Sequence, residues 1–188
     1  MNYSFKEEGK FKYVEIGEGR PIIILHGLMG GVSNFNGVTE FFSKNGYKVV
    51  LPELPLYSLP LLSTNVKSFA EYLKDFIDLL GFDDVILLGN SLGGHIGLLY
   101  TKLYPAKVKA LVITGSSGLY ESAMGSGYTK RSDYEVMKSK VQEVFYDPEV
   151  ASKEMVDEIF ASVNDRSKLV KTLAIAKSAI RHNMAKDL

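Results

Sequence analysis

Cysteine and tryptophan are both absent from the 188 residues. Without a thiol there is no disulfide, no zinc knuckle, no iron–sulfur ligation and no cysteine nucleophile. An excess of one charge is missing as well. Twenty-two Lys and Arg offset 22 Asp and Glu, and the balance holds by parts, with 11 of each sign in residues 1–119 and 11 of each in residues 120–188. That excludes the basic footprint of a nucleic-acid binder or of a protein drawn to anionic membranes. No apolar run approaches the roughly 18 residues a spanning helix needs. Residues 1–13 lack the apolar core of a signal peptide. These absences describe a soluble, cytoplasmic protein without a nucleic-acid or membrane partner. Three sequence signatures are missing too: the phosphate-binding Gly-x-x-x-x-Gly-Lys-Ser/Thr, a Gly-x-Gly-x-x-Gly after the first parallel strand, and His-Glu-x-x-His. Nucleotide, dinucleotide and zinc-hydrolase readings lose their support, and no metal or organic cofactor is expected.

With 46% hydrophobic residues, 17 Gly and 6 Pro, the composition is globular. A chain of this size buries roughly 70% of its unfolded surface. Two short segments, Tyr3–Lys6 and Phe11–Ile16, flank Glu8-Gly9-Lys10 and predict an antiparallel hairpin. Four apolar runs follow at Ile22–Leu25, Tyr47–Leu51, Val85–Leu88 and Ala110–Ile113. Continuous runs of this kind suit strands covered on both faces of a parallel sheet. Helical segments alternate with them: Asn34–Ser43, Val66–Leu80 before Gly81, and Leu92–Tyr104 before Pro105. Beyond Ile113 the alternation stops. Gly and Ser dominate to Thr129, and the remaining residues show helical spacing over Asp133–Phe145, Ser152–Ser162 and Ser167–Lys186. The reading is an α/β core over residues 1–118, mainly parallel with an N-terminal hairpin, carrying a helical cap over residues 119–188.

The chemistry concentrates at Val85-Ile86-Leu87-Leu88-Gly89-Asn90-Ser91-Leu92-Gly93-Gly94, a strand, then Gly-x-Ser-x-Gly, then a helix. A strand that turns sharply into a helix strains the apical residue, and its neighbours two before and two after pass close together. Gly89 and Gly93 meet that need, and Ser91 is the expected nucleophile. The alternative is a serine that merely caps the helix. A second piece, Ile22–Leu25 followed by His26-Gly27-Leu28-Met29-Gly30-Gly31, ends a strand in a Gly-rich loop. The backbone N–H groups of Leu28 and Leu92 are the expected oxyanion hole. Asn90, beside the nucleophile, is a candidate for the pocket floor.

These two motifs, in this order, resemble the α/β-hydrolase superfamily over residues 12–118. Residues 119–188 resemble the helical cap that many members carry after the sixth strand. The resemblance implies a serine nucleophile at Ser91, a His base, an acid orienting that base, and no cofactor. The Gly-Asn-Ser-x-Gly-Gly form resembles carbon–carbon bond hydrolases of ring-cleavage products, and simple esterases share it. The leading expectation is a serine hydrolase that cleaves an ester-like bond through an acyl-serine. The alternatives are a carbon–carbon bond hydrolase and a non-catalytic protein that binds a small ligand.

The resemblance has gaps. After Leu51 the family's Pro-Asp-x-Pro-Gly-x-Gly becomes Pro52-Glu53-Leu54-Pro55-Leu56-Tyr57-Ser58. The family's acid and His follow the serine on later strands, and no such strand follows Ile113. The expectation is an N-terminal piece of a longer hydrolase, with the triad acid and base outside this chain, little activity of its own, and an unpaired sheet edge open to self-association. The candidates within the chain are weak. His26 belongs to the strand-end motif, His95 lies one turn down the helix from Ser91, His182 sits in a polar patch, and Glu121 follows the loop after the last strand. Arg166 and Arg181 are candidates to meet an acidic substrate group. Met29, Leu56, Tyr57, Leu59 and Leu61 are expected to line an apolar substrate pocket.

Overall fold

The computed structural model describes residues 3–28, 30–120 and 130–187. Six strands form one mixed sheet: β1 (Phe5–Glu8), β2 (Phe11–Ile16), β3 (Arg20–Leu25), β4 (Tyr47–Pro52), β5 (Val85–Asn90) and β6 (Val108–Thr114). Their spatial order is β1-β2-β4-β3-β5-β6. The last four in that order run parallel, and β1 and β2 add antiparallel beside β4. The hairpin turn falls at Gly9–Lys10, where Gly9 has φ +59°. The first hairpin strand therefore lies two residues later than the sequence predicts, because Tyr3 and Ser4 precede the paired register.

Strand alternation sorts the apolar residues into two layers. Ile23, Leu25, Val50 and Leu87 join one core with helices α2 (Val66–Leu79) and α3 (Leu92–Leu103). Ile22, Ile24, Val49 and Leu51 face the other way, toward Val32, Phe35 and α1 (Asn36–Lys44). Phe69, Leu73, Phe76 and Ile77 are fully buried along one stripe of α2, the 3.6-residue repeat that identifies the helix in the sequence. Asn65 caps it by accepting from the Ser68 N–H at 2.9 Å.

One expectation fails at β6. The strand pairs with β5 alone among the described residues, and it is not covered on both faces. Leu111 and Ile113 pack against the α2–α3 core, whereas Val112 is 45% exposed. The reason is topological: α1 covers the opposite face only near β3 and β4, so apolarity at β6 outruns the cover available.

Three helices follow: α4 (Tyr134–Gln142), α5 (Lys153–Asn164) and α6 (Arg166–Arg181). Asp133, Ser152 and Asp165 cap them through first-turn N–H groups. α6 returns to the core. Its Ile175 is buried in the α2–α3 cluster, and Ser178 Oγ accepts from the Val66 N–H at 3.0 Å, satisfying an orphan donor of α2. No helix among the described residues is long and apolar enough to cross a membrane.

Candidate active site

At the β5–α3 junction Ser91 has φ 53° and ψ −118°, and it is the single non-Gly residue with positive φ among those described. Such strain persists only where surrounding contacts enforce it. Here they do. A Cβ at Gly89 would stand 2.5 Å from the Gly93 carbonyl oxygen, and one at Gly93 would stand 2.1 Å from the Leu25 carbonyl oxygen. The chain can turn this tightly only with both side chains missing. Hydrogen bonds then fix the apex. Ser91 N–H donates to Thr114 O at 3.1 Å, and Ser117 N–H and His95 N–H both donate to Ser91 O at 3.2 Å. Asn90 Nδ2 donates to the Thr114 carbonyl and hydroxyl, each at 3.1 Å, clamping the ends of β5 and β6 together. The Ser91 side chain makes no capping hydrogen bond to α3.

The strand-end loop after β3 lies directly against this apex: a Cβ on Gly27 would be 3.2 Å from the Ser91 Cβ. His26 organises the loop. It is 7% exposed. Its Nδ1 donates to Gly27 O at 2.8 Å, and its Nε2 accepts from Leu54 N–H at 3.0 Å, so these partners fix the tautomer. Burial holds the imidazole below its ordinary pKa, keeping it neutral. Gly27 O and Leu28 N–H belong to one trans peptide and point in opposite directions. The same Gly27 carbonyl also accepts from the Gly30 N–H at 3.3 Å, closing the loop on itself. Neither Leu28 N–H nor Leu92 N–H has a hydrogen-bond partner among the described residues.

Above Ser91 opens a chamber of about 640 Å³, within the usual range for small-molecule sites. Gly27, Leu28, Asn34, Asn90 and Ser91 form its floor. Met137 and Val141 from α4, with Val144 and Phe145 just beyond, and Met155, Ile159 and Val163 from α5 form the roof. Arg131 and Lys140 also line it. The sequence reading names none of these cap residues. Their spacing was part of the signal, since 137 and 141, and 155, 159 and 163, each mark one face of a helix, while 144 and 145 lie in the turn after α4.

Other expected site residues lie elsewhere. Leu56 and Tyr57 line a separate cavity of about 510 Å³ beside His26 and the N-terminal strands. Leu59 packs against the core, and Leu61 is half exposed on a short turn. None of the four lines the Ser91 chamber; the loop after β4 is tied instead to α6, where Lys171 Nζ donates to the Tyr57 carbonyl and the Tyr57 hydroxyl lies 3.4 Å from Thr172 Oγ1. Arg166 and Arg181 stand at the two ends of α6 and line neither cavity. Met29 and Glu121 lie outside the described residues. His95 is fully buried, with Nε2 2.8 Å from the His182 carbonyl and Nδ1 3.5 Å from Ser117 Oγ. His182 Nδ1 is engaged by Ser178. Among the described residues no group of three His, Asp or Glu side chains could hold a metal ion.

The chain belongs to the α/β hydrolase fold family, whose model matches residues 20–155. It is 57% identical to an alpha/beta hydrolase enzyme from the metagenome of sediments of the Mar Chica lagoon, Morocco. That comparison covers 98% of this chain and 69% of the solved one, with a TM-score of 0.78. It is 35% identical over 111 residues to a 2-hydroxy-6-oxononadienedioate/2-hydroxy-6-oxononatrienedioate hydrolase of Pseudomonas putida, covering 55% of this chain and 39% of the relative. It is 25% identical over 182 residues to a 2-hydroxy-6-oxo-6-phenylhexa-2,4-dienoate hydrolase of Comamonas testosteroni, covering 87% of this chain and 63% of the relative. The chain thus spans about two-fifths to two-thirds of the length of these curated relatives.

Proposed function

We propose that this hydrolase is a serine hydrolase and that Ser91 is its nucleophile. The Ser91 hydroxyl attacks an ester-like carbonyl held in the chamber. The carbonyl oxygen takes up negative charge between the Leu28 and Leu92 N–H groups, the alcohol leaves, and water releases the acyl-serine. The observation that carries the reading is the left-handed backbone of Ser91, enforced by two glycines beneath an apolar chamber. Strain of this kind at a cavity floor serves to present a reactive group.

The imidazoles of His26 and His95 have both ring nitrogens engaged by other partners. The base and acid of the triad belong, in this reading, to parts of the hydrolase other than these 188 residues. The isolated chain is expected to turn over esters only at the residual level that binding and oxyanion stabilisation supply. A second reading, cleavage of a carbon–carbon bond beside a ketone, draws on the names of the Pseudomonas and Comamonas relatives. It uses the same nucleophile and oxyanion donors.

Covalent labelling by an alkyl fluorophosphonate tests the proposal. The intact hydrolase, with its base present, is expected to gain one phosphonyl group, on Ser91, and its Ser91→Ala variant is expected to gain none. A labelled Ser91→Ala would place the nucleophile elsewhere, and an intact hydrolase that resists the label yet binds small ligands tightly would favour the non-catalytic reading.

A further inference from the structure

We infer that His95 is a positioning residue for the nucleophile: its imidazole is a strut under the Ser91 turn that holds the loop after β6, and through that loop the Ser91–Leu92 peptide, in place. The inference rests on reading Ser91 as the nucleophile. The Ser91 carbonyl accepts from two N–H groups, those of His95 and Ser117, each at 3.2 Å. The first is the opening hydrogen bond of α3 itself. The second comes from residues 115–118, a return loop with Gly115 at φ +51° and Gly118 at φ +85°. The Ser91 carbonyl and the Leu92 N–H belong to one trans peptide and point in opposite directions. Where Ser117 sits therefore sets where the Leu92 N–H, the oxyanion donor of the proposed reaction, points.

His95 decides where Ser117 sits. It lies one turn along α3 from Ser91 and is fully buried. The His182 carbonyl can only accept, so His95 Nε2 carries a hydrogen and donates to it at 2.8 Å. Nδ1 then faces the Ser117 hydroxyl at 3.5 Å. The loop backbone rests on the ring itself: a Cβ on Gly118 would stand 2.4 Å from both Cδ2 and Nε2 of the imidazole. The turn after α6 holds the same loop. Met184 N–H donates to Gly118 O at 2.6 Å, and Asn183 Nδ2 donates to Leu119 O at 3.2 Å. Met184 is itself buried in the α2–α3 core. The imidazole thus joins the helix of the nucleophile, the loop after β6 and the turn after α6. An apolar ring of similar size would fill the space and leave the His182 carbonyl without its donor. The turn would relax, the loop would follow, and the Ser117 clamp on Ser91 would loosen. His95 lines neither cavity, so its loss is expected to slow the chemical step and to leave binding in the chamber unchanged.

The test follows phosphonylation of the intact hydrolase by an alkyl fluorophosphonate at increasing reagent concentration, which separates the limiting rate from the half-saturating concentration. His95→Phe keeps a ring and removes both nitrogens. It is expected to lower the limiting rate about tenfold, part of the hundredfold or more that outright loss of an oxyanion donor costs, and to leave half-saturation within about twofold. His95→Gln places an amide N–H where Nε2 stands and is expected to bring the limiting rate back to within about threefold of wild type. His95→Asn is too short to reach the His182 carbonyl and is expected to behave as His95→Phe does. If thermal melting shows His95→Phe to be unfolded, the comparison of His95→Gln with His95→Asn decides. A merely space-filling role would lower the melting temperature and leave the limiting rate unchanged. That result, a loss confined to half-saturation, or no recovery in His95→Gln would overturn the inference. Labelling on Ser91 at a rate indifferent to His95 removes this inference alone. A wild-type enzyme that resists the label removes the nucleophile reading, and this inference falls with it.

Discussion

His26 shows how much one side chain can settle. Its two ring nitrogens hold the Gly27 carbonyl and the Leu54 N–H, so the strand-end loop and the loop after β4 share one neutral imidazole. Protonation would place a second N–H against the Leu54 N–H and break that bond. Because burial lowers the folded-state pKa, the unfolded chain takes up the proton first as pH falls. The stability His26 contributes is full above about pH 6.5 and is lost as pH drops below that value toward the lowered one. His26→Gln keeps a donor and an acceptor but cannot titrate. The melting temperature of the wild-type chain is expected to fall more steeply between pH 7 and pH 5 than that of His26→Gln. Parallel curves would show that this imidazole does not couple to folding. At this scale the sequence was legible where spacing alone carried the constraint. Gly89, Ser91 and Gly93 meet within five residues, and their contacts follow from the turn itself. Arg131 and Lys140 were not legible, because nothing local tells a solvent-facing cation from one that faces a cavity.

Among the elements, α6 has the double role. It closes the run of cap helices and also completes the N-terminus of α2 through Ser178. Val66 is fully buried, so its N–H has no access to water as a substitute partner. Ser178→Ala is therefore expected to destabilise the fold by about 2 kcal/mol, the cost of a buried donor left unsatisfied. Urea denaturation measures this as a lower midpoint at unchanged slope. A midpoint equal to wild type would mean that α6 is not held to α2 by this bond. The strands and the three core helices could be read from apolar runs and stop signals, because α1, α2 and α3 each bury one stripe against the sheet. The faces of α4 and α5 that roof the chamber could not be assigned, since their partner is a cavity and the period alone does not say which surface it meets. The loop after Leu51 misled for a related reason. Leu56 is 3% exposed in the α2–α3 core and lines the cavity beside His26 instead of the Ser91 chamber.

At the scale of the whole molecule, the sheet formed by the described residues carries the β1–β2 hairpin on one side and ends at β6 on the other. The β1–β2 hairpin closes the β4 edge, with Lys6 and Lys12 among its charged residues. Charge on an edge strand of this kind discourages pairing between molecules. The β6 edge has less protection. Val112 is exposed, and its register partner Leu88 on β5 is only half-buried on the same face. We propose that the isolated chain self-associates through β6. Sedimentation is expected to show association that grows with concentration and weakens in Val112→Lys, and a monomer at all concentrations would contradict it. The strand itself was legible from the run Ala110–Ile113, while its one-sided cover needed the positions of α1 and α3. The account as a whole turns on the geometry above β5. The most direct measurement is a crystal structure of the intact hydrolase after phosphonylation. The account predicts the phosphorus on Ser91 Oγ and a phosphonyl oxygen about 3 Å from both the Leu28 and the Leu92 nitrogens. A label on another residue, or a phosphonyl oxygen turned away from those two nitrogens, would contradict it.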